Sequence, residues 1–171
     1  MPVIRDIHMK VARQIISLGK DIAWLFVWNQ QVEPTDTLDM VITKKFNVAL
    51  KVLHDFLFSH LLYLHDDILV NRNVINSLMP YDVATCVIKD LDGKERLSIY
   101  RGLVAQPNPL KTGYITECHP DRFFMARRHT LPYQLVQGSI ENSLVFSNVF
   151  FVTELTVTHL DYRKDGVKEG I

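Results

Sequence analysis

The sequence predicts an α+β fold, with two N-terminal amphipathic helices packed on a C-terminal antiparallel sheet of about five or six strands. Three observations carry this. Apolar residues recur at steps of three and four through the first part of the chain. After Pro80 the period changes to two. Asp92-Gly93 then separates two β-prone runs, a strong short-range signal for a hairpin.

The first helix is predicted from Ile4 to Trp28, with Ile4, Ile7, Val11, Ile15, Leu18, Ile22 and Leu25 or Phe26 on its apolar stripe. Gly19 interrupts it at a cost of about 1 kcal/mol relative to Ala. Pro34 marks the break that follows, and Asp36 or Thr37 can cap the next helix. That helix is predicted from about Leu38 to Leu69, with Val41, Ile42, Ala49, Val52, Leu53, Phe56, Leu57, Leu61, Leu64 and Ile68 as its stripe. It would be about 45 Å long, enough to expect a kink. Asn71-Arg72-Asn73 is a stop, and Val74 to Met79 adds a short helical turn.

The predicted strands are Val83–Asp90, Glu95–Val104, Gly113–Cys118, Phe123–Arg128, Tyr133–Val136 and Leu144–Leu160. Pro107 and Pro109 hold the loop after the second, since neither can donate to a ladder. In the last run Thr153, Leu155, Val157 and His159 share one face, and a bend is expected near Ser147-Asn148. The chain of 171 residues reads as a single domain. Its helical layer covers about 4–79, its strand-rich layer about 81–162 and its polar tail 163–171.

Nineteen Lys and Arg balance nineteen Asp and Glu, so the formal charge is zero. This argues against nucleic acid or an acidic membrane as partner, because both demand a basic surplus. It also removes self-repulsion and so favours association. The charged N-terminus is no signal peptide, and no apolar run reaches the ~20 residues of a membrane span. The expectation is a cytoplasmic or virion protein that is neither secreted nor membrane-embedded. Cys86 and Cys118 lie outside any CxxC pair and are expected as reduced thiols.

Two short motifs carry resemblances. Leu64-His65-Asp66-Asp67-Ile68-Leu69 resembles the first aspartate-rich helix of polyprenyl synthases, where paired aspartates hold magnesium against a diphosphate. The family's third aspartate falls on Val70, a second such motif is absent, and the strand-rich half does not suit an all-helical enzyme. His119-Pro120-Asp121 is similar to the signature tripeptide of J-domain co-chaperones. The β-prone flanks Tyr114-Ile115-Thr116 and Arg122-Phe123-Phe124 point instead to a turn. His54, His60 and His65 are read on one helix, where their spacing lets no pair grip one ion. Cys118 and His119 are adjacent on a strand and so point to opposite faces, which disfavours a thiol–imidazole pair. No metal and no cofactor is predicted, and no catalytic residue is assigned.

Two functional readings follow. The first is a non-catalytic structural or protein–protein interaction subunit that forms a homo-oligomer or binds other protein subunits. Its candidate interface residues are Trp24, Phe26 and Trp28, from a segment apolar on all sides, and Arg122, Arg127 and Arg128, from the one basic cluster. Small bacteriophage tail or neck components also combine helices with an antiparallel sheet, an analogy of architecture alone. The second reading is a small ligand-binding or enzymatic α+β cone with a pocket between sheet and helices. Asp66, Asp67, His119, Arg127 and His129 would be its polar groups.

Overall fold

The computed structural model describes residues 6–25, 27, 33–135 and 143–160. The first helix, α1 (Asp6–Ser17), stops well short of Trp28. Gly19 adopts φ 131°, a conformation open to glycine and strained for other residues, so it terminates the helix rather than merely weakening it. Arg72 completes the end by donating from Nη1 to the Leu18 carbonyl at 3.2 Å and pairing with Asp21.

The second helix, α2 (Leu38–Leu53), begins on Thr37, whose side chain accepts from Met40 N. It ends at Leu53, not Leu69. The chain then turns and becomes β1 (His60–Leu64) and β2 (Ile68–Leu69). A short α3 (Arg72–Leu78) follows, capped by Asn71 accepting from Val74 N, where the sequence suggested a helical turn.

The remaining strands are β3 (Val83–Asp90), β4 (Glu95–Arg96), β5 (Ile99–Arg101), β6 (Val104–Gln106), β7 (Gly113–Pro120), β8 (Phe123–Arg127) and β9 (Phe146–His159). The hairpin at Asp92-Gly93 is present: Ile88 pairs with Arg96, Lys89 with Glu95, and Gly93 takes φ 84°. The expected strand from Glu95 to Val104 divides into β4, β5 and the start of β6. Tyr133 to Leu135 is not a strand, and Val136 and the predicted tail at 163–171 lie outside the described residues.

The fold is therefore α+β, with two corrections. The sheet has nine strands among the described residues and is mixed, ordered β1-β8-β3-β9-β7-β5-β6, with β2 on β9 and β4 on β3. The central pair β3–β9 is parallel. Their ladder breaks between Cys86–Val152 and Val87–Thr156, so the irregularity in β9 lies at residues 153–155 rather than at Ser147-Asn148. Thr112 holds that bulge, accepting from Thr153 N and donating to Glu154.

Two cores lie on either side of the sheet. Val83 and Val87 of β3 face a cluster with Phe46 and Leu50 of α2, Phe124 and Ala126 of β8, and Val149 and Phe151 of β9. Ala84, Cys86 and Ile88 face the other cluster, with Val74, Ile75 and Leu78 of α3 and Phe123 and Met125 of β8. A strand buried on both faces reads as a continuous apolar run, which explains the composition of β3. Val11 and Ile15 of α1 form a small satellite with Leu160.

The link from β7 to β8 determines how this sheet is shaped. In the sheet order three strand spacings separate β7 from β8, about 14 Å if the sheet were flat. Pro120 and Phe123 are joined by Asp121 and Arg122 alone, which span at most about 11 Å. The sheet must curl, so that the end of β7 reaches the start of β8.

Candidate functional site

Arg122 of this link meets a group of charged side chains at the last residues of β3 and β9. At its centre is His159, 2% exposed. Its Nδ1 lies 2.9 Å from Asp90 Oδ1 and its Nε2 3.0 Å from Asp67 Oδ2. Both ring nitrogens therefore face carboxylates. Arg96 donates from Nε to Asp90 at 2.6 Å. Arg122 places Nη1 3.1 Å from His159 Nε2 and donates from Nε to Asp121 at 3.2 Å. Three aspartates and two guanidiniums thus surround one buried imidazole ring. Arg122 sits at φ 68°, a strained value for a side-chain-bearing residue, and its carbonyl accepts from His65 N at 2.9 Å.

The electrostatics follow from these partners. Burial pushes the Asp90 carboxyl up, but hydrogen bonds from Arg96 and His159 outweigh it and hold the group at about 2. Burial likewise raises Asp67, and the His159 hydrogen bond reverses this to a net lowering. Burial pushes His119 down to about 4, with Nδ1 3.0 Å from the Leu144 carbonyl. His65 is also lowered by burial, and its Nε2 lies 3.1 Å from the Tyr63 hydroxyl.

These shifts all act in one direction with pH. His119 and His65 unfolded take up protons near pH 6.5, while the folded His119 resists until about pH 4. Stability therefore falls as pH drops through that window, because the unfolded state binds more protons. A second loss occurs between about pH 3.8 and 2, where an unfolded aspartate protonates and folded Asp90 does not. Urea midpoints measured from pH 7 to 3 should fall by a few kcal/mol equivalent. A flat profile over that range would contradict the burial of these groups.

The other sequence-derived candidates scatter. Asp66 and Asp67 occupy the turn between β1 and β2, not a helix end. Asp67 belongs to the His159 network, whereas His119 sits at the end of β7 against the Leu144 carbonyl. Arg127 lies at the far end of β8, four residues along the strand from Phe123, roughly 13 Å away. There it donates from Nη2 to the Pro80 carbonyl at 3.1 Å and stands 3.6 Å from Asp82. His129 stands 3.7 Å from the same aspartate. The five residues of the proposed pocket therefore do not converge. Arg122 is absorbed in the network. Arg128 latches the segment after α2, donating to the Phe56 and His54 carbonyls and lying 5.0 Å over the Phe58 ring. Trp24 is half-buried against two of the cores, while Phe26 and Trp28 lie outside the described residues. His54, His60 and His65 do not share a helix: they cap α2, open β1 and follow β1.

Cys86 and Cys118 are free and fully buried, and burial pushes their thiols up to about 12 and 11, which makes both poor nucleophiles. Among the described residues no group of three His, Cys, Asp or Glu is disposed to hold a metal ion. No described helix is long and apolar enough to cross a membrane.

Two surface features remain open to partners. The sheet's terminal strand β6 exposes Val104 by 64%, and the preceding turn exposes Leu103 by 65%. Leu91, Leu97 and Leu110 are exposed on the neighbouring turns. At the opposite edge, Leu57 beside β1 is 99% exposed. The second feature is a groove of about 470 Å³ where β3 and β9 begin, bordered by Tyr81, Asp82, Tyr114, Arg127 and Asn148. Sequence reading missed both, because exposure of an apolar side chain depends on which strand ends the sheet. It also missed His159 as a site, although the alternation had placed that histidine on the apolar face with Leu155 and Val157. No protein-family model, no curated protein and no solved structure matches this chain.

Proposed function

We propose that the chain is a non-catalytic, self-assembling subunit whose contact surface is the β6 edge, with a second copy of the chain as its partner. The observation that carries this is the exposure of Leu103 and Val104 at the last strand of the sheet. An edge strand presents unpaired N–H and C=O groups, and proteins commonly blunt such edges with charge. The strand Val104–Gln106 carries none. Pro107 limits the pairing to a short segment, so the flanking leucines supply most of the contact. Zero net charge leaves no long-range repulsion between copies.

Multi-angle light scattering across a concentration series tests this. The wild-type chain should show a mass of two or more copies at high concentration. Val104→Lys should return it to a monomer, since edge lysine is both charged and exposed. A wild-type chain that stays monomeric at its solubility limit would refute the reading, as would a Val104→Lys oligomer of unchanged mass.

A further inference from the structure

The groove at the start of β3 and β9 has a chemistry independent of the β6 edge. Tyr114 and Phe150 are direct partners across the β7–β9 ladder. Their rings meet edge to face with centroids 4.9 Å apart. Tyr81, just before β3, stacks on the same Phe150 at 3.8 Å. Phe150 therefore fixes both tyrosines, and Tyr114 remains 66% exposed. Around them stand a carboxylate, a guanidinium and a carboxamide, from Asp82, Arg127 and Asn148. Asp82 and Arg127 cancel in charge, yet they are loosely engaged. Asp82 Oδ1 is 3.6 Å from Arg127 Nε, and Oδ2 is 3.7 Å from His129 Nε2. Both separations exceed a hydrogen bond. The Arg127 Nε–H is without a hydrogen-bond acceptor among the described residues. A ligand with hydroxyl groups would find acceptors at Asp82 and both donors and acceptors at Asn148.

We propose that this groove binds a neutral saccharide, one pyranose face lying against Tyr114 and its hydroxyls meeting Asp82 and Asn148. A sugar ring pairs an apolar C–H face with a hydroxyl rim, which matches an aromatic wall bordered by planar polar side chains. The cancelling Asp82–Arg127 pair favours an uncharged ligand over an anion, which would have to displace Asp82 from Arg127, and over a cation, which would meet Arg127. The volume accommodates one or two sugar rings.

Saturation-transfer NMR on the full chain with maltose, cellobiose and lactose tests the assignment, with benzoate and tetramethylammonium as charged controls. Transfer to the ring protons of at least one sugar is expected. Tyr114→Ala should weaken it up to about tenfold and Asn148→Ala by less, since the first removes a stacking face and the second one hydrogen-bonding group. Both side chains are on the surface, and unchanged circular dichroism shows that the variants fold. No transfer to any of the three sugars would overturn the proposal. So would transfer that persists unchanged in both variants, or transfer confined to a charged control.

Discussion

Replacing His159 by leucine is expected to destabilise the fold by about 3–5 kcal/mol, the usual cost of removing one partner from a buried charged cluster. The reason lies in what remains. Asp90 keeps Arg96 at 2.6 Å, but Asp67 loses the hydrogen bond to Oδ2. Its other oxygen, Oδ1, has no hydrogen-bond partner among the described residues. A buried carboxylate without a donor must either protonate or draw water into the turn between β1 and β2. The loss should shrink when Asp67 is also changed to Asn, because the stranded charge is then gone. A double-mutant cycle on His159→Leu and Asp67→Asn should therefore give a coupling energy above about 1 kcal/mol. Urea unfolding at pH 7 measures all three variants. A loss below about 1 kcal/mol for His159→Leu would mean that the network is solvated and carries little stability.

The same network shows what local sequence can and cannot display. Asp92-Gly93 declared its hairpin because a type of turn demands those residues, whatever lies elsewhere in the chain. The alternation Leu155, Val157, His159 declared a buried face for the same local reason. Asp67 and Asp90 could not be joined to His159 in advance. Asp90 reaches it through the parallel β3–β9 pair and Asp67 through the antiparallel β2–β9 pair, both made by contacts far apart in the chain. The misread second helix has a related cause. Residues 56–69 offer apolar side chains at spacings that suit either period, with no proline or glycine between Leu53 and His60 to mark the end. What makes 60–64 a strand is its partner, β8, sixty residues later. Gly19, by contrast, was visible. Its left-handed conformation ends α1 outright, so an interior-glycine penalty understated its effect.

Phe124→Ala is the second large expected effect, about 3–5 kcal/mol. Phe124 is completely buried at the middle of the face that packs on α2. Its ring stacks on Tyr63 of β1 at 4.9 Å and meets Phe146 of β9 at 5.4 Å and His119 of β7 at 6.3 Å, both near perpendicular. One side chain thus joins three strands besides its own, two of which are not its neighbours in the sheet. That is possible only because the sheet curls, as the two-residue link between β7 and β8 requires. Truncation leaves a cavity whose walls belong to different strands and cannot close by one small shift, so both the transfer and the cavity contributions apply. The cost should exceed that of Phe123→Leu on the opposite face, where a volume close to the original remains. Paired thermal and urea melts of the two variants decide this. If Phe124→Ala lost no more stability than Phe123→Leu, the aromatic cluster would not be the joint between the strands, and the curl would have to be held by the charged network at the sheet's end instead.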